Sequence, residues 1–582
     1  MHKTKTLALV SLGLIVGSCS NRYYEKNVYH SSYKKIIDSY VQETEETDKT
    51  EKDSLQNELV TIDNNKLWWT NEVSNNIFAN SVNQTVSPSS LYSSAIAHSP
   101  QVKVFSELPL IRETSITEAE GRFDTRTFLE GKWEKARMQR SSVAQTAHPI
   151  FHENSYSLEG GVKRRLESGG EITASQRFSH LNNNSISLSP NAQAESAFTV
   201  SLVHPLLKGA GLKYNGSIIE IAKIDLGIAD EEFKRQVIAH LTEVNKAYWV
   251  LYLARGQYLI NKKLYAETKE LTEKLRKRGD LDTVKEQLLR AEAALAERET
   301  VLIRSEVAIR NTESRLKILV NSPQLKRASK LEFLPTVHPH VAASKSSLKN
   351  DLITALKNRP VIDQAFAQLQ ALDIRKDMSK NELLPQLNAI LEVSLHGLEA
   401  EDNYGDAFGD QPNQQRYLAG FSYDFPIQNR GAKARHLRRN LEYRQQLEQI
   451  NATIDTTLFE VKVSHRELET ARREVVARQK SLQAATNELD SMKKRWDFAE
   501  LKGEKGGATY MQFLLDSQER QSTAEEAHLN ALVNYSIAVE NLERAKGTLL
   551  NFNKIVPAGS DRKQDKKNRT LPTKGMKLGS NA

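Results

Sequence analysis

Cysteine is almost missing from this sequence: Cys19 is the only one among 582 residues. A single thiol excludes a disulfide within the chain. Long apolar runs are also missing, because the stretch Leu7–Val16 is too short to span a bilayer as a permanent helix. Proline is absent from about Lys213 to Lys277, so nothing there interrupts a helix. These absences favour long helices and leave Cys19 as the only site for thiol chemistry.

The residue groups that mark an enzyme are missing as well. The 14 histidines are scattered, and His148 and His152 flank Pro149 in a predicted loop, which does not give a metal-binding face. Gly209-Ala210-Gly211 lacks the strand and helix context of a dinucleotide site and has no Walker lysine, so it predicts a turn. No Ser, His and Asp grouping stands out. We therefore expect no catalytic, cofactor or metal site, and no enzyme activity.

The first 19 residues are typical of an export signal. Lys3 and Lys5 precede the apolar stretch, and Val16-Gly17-Ser18-Cys19 resembles a bacterial lipobox. This resemblance implies that residues 1–18 are a signal peptide and that Cys19 carries lipid such as palmitate. Ser20, a residue other than aspartate, implies sorting to the outer membrane. The alternative is an ordinary signal peptide that contains a cysteine by chance.

The two ends of the mature chain are polar. Residues 19–85 predict a periplasmic tether, in which Trp68 and Trp69 indicate local packing rather than a ligand site. Residues 556–582 predict a basic tail, with seven Lys or Arg and two Asp between Asp561 and Lys577. The tail is either a disordered segment or one attracted to peptidoglycan or anionic headgroups. It has no interleaved aromatic residues, so we expect no nucleic-acid binding.

Two copies of a unit made of a strand, a proline and a long helix organise the rest of the chain. In the first, apolar residues alternate over 198–204, Pro205 ends the strand, and a helix follows from about 213. In the second, they alternate over 416–425 before Pro426. The segments 95–100 and 355–360 also correspond. The pattern predicts an internal two-fold repeat, with halves at 86–325 and 345–555.

Each predicted half contains a pair of amphipathic strands, at 171–179 with 198–204 and at 386–396 with 416–425. Strands of about nine to eleven residues match a tilted crossing of a bilayer. Aromatic residues fit interfacial girdles, polar residues would face a lumen, and the loops 180–195 and 399–415 would be extracellular. These residues are Phe178, Phe198, Tyr417 and Phe425 for the girdles, and Arg177, Glu392 and Asp424 for the lumen.

Four strands are too few to close a membrane barrel, which needs about eight. Three copies would supply about twelve strands around an aqueous lumen, so the count predicts an oligomer. A soluble sandwich edge would show the same alternation, but it would leave the apolar side uncovered.

The helical segments predict two long hairpins, at about 213–320 and 429–552. A heptad seam runs through the first hairpin, as expected for antiparallel coiled coils, and comprises Leu281, Leu288, Leu295, Leu302, Ile309 and Leu316. Shorter helices are expected at about 105–140 and 360–383. A helix of about 65 residues extends on the order of 100 Å, which suits a periplasmic tube.

Four phrases carry a family resemblance: HPLLKGAG at 204–211, AYWVLYLA at 247–254, FPIQNRGAKAR at 425–435 and NYSIAVENLERAKGTLL at 534–550. Over roughly 86–555 the chain resembles the TolC family of outer-membrane efflux proteins. The resemblance implies a mainly α fold with membrane β-structure. It also implies a homotrimeric duct with a shared barrel of twelve strands, four from each copy, and a periplasmic α-barrel of coiled-coil helices.

The same resemblance implies a passive duct without a cofactor, in contact with outer-membrane lipid. Its partners would be a periplasmic adaptor, also called a membrane fusion protein, and an inner-membrane pump of the RND, ABC or MFS class, in a tripartite efflux or type I secretion system. In this family the hairpin tips contact the adaptor and close the entrance. The corresponding residues here are Arg278, Gly279, Asp280, Asp282, Arg495, Asp497, Gly507 and Tyr510.

Two alternatives remain from other classes. A lipidated periplasmic adaptor would need one hairpin flanked by small β-domains, whereas the sequence predicts two hairpins and two strand pairs. A structural coiled-coil lipoprotein would leave the alternating strands without a role.

Overall fold

The computed structural model describes residues 67–79, 81–139, 150–277, 282–326, 331–341, 347–502, 507–556 and 577–578. The chain divides into two compact units, one of residues 1–62 with 343–353 and the other of 63–342 with 354–582. Of the described residues, the first unit holds only 347–353, which include the start of one helix. All others belong to the second unit. The predicted signal peptide, Cys19 and most of the basic tail lie outside the described residues.

The described part of the chain contains twelve α-helices and ten strands. The helices are α1 Trp69–Glu72, α2 Pro88–His98, α3 Pro100–Glu120, α4 Leu212–Arg276, α5 Asp282–Val320, α6 Pro323–Lys326, α7 Leu348–Asn358, α8 Pro360–Asn381, α9 Tyr404–Gly409, α10 Arg430–Lys502, α11 Gly507–Lys546 and α12 Leu549–Phe552. The strands are β1 Val82–Val86, β2 Thr125–Gln139, β3 Ile150–Arg165, β4 Glu171–Asn183, β5 Gln193–Pro205, β6 Leu331–Pro335, β7 Gln386–Ala400, β8 Gln415–Asp424, β9 Ile555–Val556 and β10 Lys577–Leu578.

Four long helices form two hairpins, α4 with α5 and α10 with α11. The helix α4 has 65 residues and α10 has 73, and neither contains a proline. At Gly211, φ is +98°, a conformation that favours glycine, and it turns the chain from β5 into α4. The Asn215 side-chain amide donates to the Gly209 and Gly211 carbonyls at 2.9 and 3.0 Å and fixes this turn. No helix in the described part of the chain combines the length and apolar composition that a membrane-crossing helix needs.

The main sheet has six strands in the order β2-β3-β4-β5-β7-β8, and all neighbours are antiparallel. The four predicted strands are present, and two strands that were not predicted, β2 and β3, extend the sheet beyond β4. The helix predicted over about 105–140 ends at Glu120 and is followed by β2. On one side of β2, Gly131 separates Leu129 from Trp133 and Lys135 follows, so the strand lacks the continuous run of apolar residues that identified the other strands. All long helices connected to this sheet join it at one end.

The segment just before α2 is packed, although the sequence predicted a tether as far as residue 85. Trp69 is only 1% exposed, and β1 pairs in parallel with β6. The Trp68 indole donates to Glu525 Oε1 at 3.1 Å beneath the Lys263 ammonium. Both tryptophans therefore make packing contacts, and the partners of Trp68 on α4 and α11 lie far away in the chain. The predicted tether boundary is too late, because Trp69 and Val86 are buried and β1 is paired with β6.

A buried ion pair fixes this segment to the helices. Arg255 of α4 and Glu332 of β6 are both fully buried, with Arg255 Nη1 and Glu332 Oε1 2.8 Å apart. The guanidinium also donates to the Val73 and Asn75 carbonyls at 2.8 and 2.6 Å. The Glu332 carboxylate accepts from the Ile77 and Phe78 amides and from Ser81 Oγ. Its charge and hydrogen-bonding capacity are thus used on all sides.

Replacing Arg255 with Ala should leave Glu332 buried without its cation. We expect a loss of about 3–5 kcal/mol in the free energy of unfolding, which is typical when one partner of a buried pair is removed. The measurement is denaturant unfolding in detergent, with limited proteolysis of 67–86 as a local readout. Arg276→Ala is the control, since its partner Glu292 is also exposed and such pairs contribute about 1 kcal/mol or less. Equal effects of the two substitutions would contradict the assigned role of Arg255.

A second buried carboxyl lies between α2 and α11. The Tyr92 hydroxyl donates to Glu540 Oε1 at 2.9 Å, and Glu540 is only 7% exposed. Burial, with a smaller effect of Glu543, raises the pKa of Glu540 from 4.5 to about 7. The folded state therefore holds a proton that the unfolded state releases. The corresponding stability is fully present below pH 4.5 and is lost as pH rises through about 7.

Glu540→Gln should therefore stabilise the chain at pH 8 by on the order of 1–3 kcal/mol, because a neutral amide replaces a buried charge. At pH 5 the difference from the unmodified chain should nearly vanish. Thermal unfolding followed by circular dichroism at both pH values measures this. Glu519→Gln, on the exposed face of the same helix, serves as the control. A gain that is the same at pH 5 and pH 8 would contradict the role given to Glu540.

Candidate functional site: the sheet and the hairpin ends

One face of the six-stranded sheet is apolar and exposed. Because residues paired across antiparallel strands share a face, the register identifies its members. Leu202 pairs with Leu391, which pairs with Ala419, and Val200 pairs with Val393, which pairs with Tyr417. Phe421 on this face is 77% exposed. A soluble monomer rarely exposes such a continuous apolar surface, so this face requires a covering.

The opposite face carries charged and small polar side chains. Arg177, Glu392 and Asp424, which the sequence predicted for a lumen, all fall on it by register. Arg177 Nη2 lies 3.6 Å from Glu195 Oε2, and His396 Nδ1 lies 3.5 Å from Glu195 Oε1. The alternation of β4, β5, β7 and β8 thus separates an apolar surface from a charged one.

The connection between β7 and β8 folds back over the end of the apolar face that is distant from the long helices. Its helix α9 packs on β7 so closely that a Cβ at Gly397 would overlap the Ala407 carbonyl. Phe178 makes an edge contact with Tyr404, with ring centroids 6.2 Å apart, and the Gln411 amide donates to Ser196 Oγ at 2.7 Å. The loop therefore covers the end of the apolar face that is distant from the long helices.

The free ends of the two helical hairpins lie side by side. One apolar cluster draws on all four helices and consists of Leu271, Leu275, Ala291, Leu489, Trp496, Met511, Leu514 and Leu515. Polar contacts also join the hairpins, since Arg290 donates to Gln512 at 3.0 Å and Lys493 Nζ lies 3.5 Å from Glu267. The heptad seam is buried further along, at Ile309 and Leu316.

The predicted tip residues divide into three groups. Arg278, Gly279 and Asp280 lie outside the described residues. Asp282 and Gly507 are the first residues of α5 and α11. Arg495 and Asp497 are exposed on α10 to either side of the buried Trp496, whereas Tyr510 packs against the apolar cluster. The structure therefore brings Arg495, Asp497 and Tyr510 to the same end of the bundle.

The described residues contain no group of three or more His, Cys, Asp or Glu that could hold a metal ion. Several buried charged groups make contacts that join helices to one another. Arg298, for example, donates to Gln518 Oε1 at 3.2 Å and to the Leu515 carbonyl at 3.1 Å, and so joins α5 to α11. The features that need a functional explanation are the two-faced sheet and the hairpin ends.

Solved structures with a similar arrangement include several outer-membrane proteins. No protein-family model and no curated protein matches the chain. The outer membrane protein VceC from Vibrio cholerae matches with a TM-score of 0.56 at 16% identity, over 79% of this chain and 96% of that one. The Campylobacter jejuni CmeC outer membrane channel matches with a TM-score of 0.55 at 12% identity, over 82% and 92%. The Neisseria gonorrhoeae MtrE outer membrane channel, in its open state, matches with a TM-score of 0.54 at 15% identity, over 79% and 89%.

This chain has the fold of the TolC-family outer-membrane channels. The predicted resemblance is confirmed at the level of the fold. The β2–β3 hairpin, the loop over the apolar face and the packed segment before α2 were not predicted. The hairpin left a weak signal in the sequence: Leu129 and Trp133 are four residues apart and Tyr156 and Leu158 are two apart, which matches one face of a strand.

Proposed function

We propose that the chain forms the outer-membrane channel of an export system. Three copies would make a passive duct from the periplasm to the exterior, with the sheet in the membrane and the helical hairpins in the periplasm. The observation that carries this proposal is the sheet, because its apolar and charged faces suit lipid on one side and water on the other. The fold shared with outer-membrane channels supports the same function.

The partners in this proposal follow from the hairpin ends. A periplasmic adaptor would dock there, and an inner-membrane pump of the RND, ABC or MFS class would supply the energy, in a tripartite efflux or type I secretion system. Lipid on Cys19 would anchor the chain to the outer membrane. The two-fold repeat would give the duct two pseudo-equivalent hairpins. The shorter helices support this repeat, because Pro100 and Pro360 each lie in the first turn of one of them. A periplasmic adaptor or a structural lipoprotein accounts less well for a six-stranded sheet with two different faces.

Neighbouring residues on β7 offer a matched test of membrane insertion and conduction. Leu391 lies on the apolar face and is 50% exposed, whereas Glu392 lies on the charged face. The purified chain should produce discrete conductance steps in a planar bilayer. Leu391→Arg should suppress insertion, since a charge at the bilayer midplane costs about 2–4 kcal/mol in each copy. Glu392→Arg should insert and shift ion selectivity toward anions.

Conductance steps from the unmodified chain and from Glu392→Arg, but not from Leu391→Arg, would support the channel. The absence of steps from correctly folded native oligomers would contradict it. If the two substitutions gave equal results, the assignment of the faces would be wrong.

The entrance residues can be tested on the same channels. If Arg495 or Asp497 helps to hold the hairpin ends together in the oligomer, its replacement by Ala should raise single-channel conductance several-fold. Lys494→Ala is the control, because Lys494 is also exposed on α10 next to Arg495. Unchanged conductance in Arg495→Ala and Asp497→Ala would remove both residues from the gate.

A further inference from the structure

We propose that the hairpin of β2 and β3 is part of the membrane wall, and that β2 is the surface on which β8 of a second copy of this chain pairs. Each copy would then contribute six strands to a shared barrel. This inference rests on the proposed channel function and specifies how the copies meet.

The first support is the continuity of the apolar face across the hairpin. Val162 of β3 pairs with Ala174 of β4, and Leu158 pairs with Phe178. On β2, Trp133 pairs with Tyr156. These side chains lie on the same side of the sheet as the apolar residues of β4, β5, β7 and β8, so the apolar face continues across the hairpin. The opposite face of β2 carries Glu130, Lys132 and Glu134.

The second support is the exposure of the hairpin. Leu129 and Trp133 are 74% and 72% exposed, although each is large and apolar. If the hairpin stood in water, it would gain no stability from having Leu129 and Trp133 on the apolar face of the sheet. The apolar stretch from Thr127 to Trp133 spans about 20 Å, close to the height of the lipid-facing band of a membrane barrel.

The third support is the condition of the sheet edges. The outer strands are β2 and β8, and each is paired on one side only within the described residues. All ten residues of β8 are exposed. In lipid an unpaired backbone edge costs several kcal/mol per polar group, so both edges need a partner. Six strands are too few to close on themselves, since about eight are needed.

A second copy fits these edges in direction and in chemistry. All six strands are antiparallel to their neighbours, so β2 leaves the helix-joined end of the sheet and β8 returns to it. A β8 placed against β2 of the next copy is therefore antiparallel and continues the alternation. The same placement puts Tyr417 and Phe421 on the lipid side together with Leu129 and Trp133. Three copies would give about eighteen strands, a number that leaves an aqueous channel in porins.

Cysteine pairs test this junction directly, because the unmodified chain carries no cysteine in the sheet. Ala419→Cys on β8 is combined in turn with Thr127→Cys, Leu129→Cys, Gly131→Cys or Trp133→Cys on β2, in the full chain extracted in detergent. After oxidation, at least one pair should yield covalent dimers and trimers on a non-reducing gel. The unmodified chain shows any background from Cys19.

Two further pairs serve as controls. Ala419→Cys with Leu391→Cys joins register partners within one chain, so it should oxidise without an increase in mass. Ala419→Cys with Ala174→Cys tests whether β8 meets β4 of the next copy, which would mean that the hairpin stands outside the wall. Covalent oligomers from the Ala174 pair, or none from any β2 pair while the Leu391 pair oxidises, would overturn the proposal.

Conductance of the same samples distinguishes a failure of the proposed strand junction from a failure of the proposed channel function. Conducting channels without cross-links between β8 and β2 would refute the junction and leave the channel function standing. A chain that cross-links at β2 but never conducts would support the junction and contradict the channel function.

Discussion

The structure depends on the backbone hydrogen-bonding requirement of one sheet. Water disfavours its apolar face, and lipid disfavours its two open edges, so the sheet is stable in neither medium as a single copy. The charged opposite face adds a third requirement, because Arg177, Glu195 and His396 need water or one another. The proposed oligomer around an aqueous lumen would meet all three conditions, and this links the fold to the proposed channel.

The helices extend the same arrangement away from the sheet. The turn at Gly211 directs α4 from the end of β5, and α10 follows β8 at the same end of the sheet. The apolar cluster at the hairpin ends then holds the two hairpins in one register, and the buried pair of Arg255 and Glu332 fixes the segment before α2 to α4. The contacts between Arg290 and Gln512 show that both hairpins end at the same level, where an entrance and a docking surface would coincide.

Sequence patterns predicted what is periodic and local. Alternation identified β4, β5, β7 and β8, and the lack of proline identified α4. They failed at β2, where charges such as Glu130 and Lys132 fill one face and Gly131 interrupts the other, so the apolar signal was too weak to identify a strand. The packing of 67–86 was also missed, because it depends on Arg255 and Glu332, which are far away in the chain. For the hairpin ends, glycines located the turns, whereas no periodicity indicates which side chains of the two hairpins meet.

The most direct test of the channel is electron microscopy of the detergent-extracted full chain, with native mass spectrometry of the same sample. We expect particles of three copies with a hollow axis that continues from a strand-built ring into a helical tube. Monomers, or short rings without a strand-built section, would contradict it, because the sheet edges would then have found no partner and the adaptor interpretation would take its place.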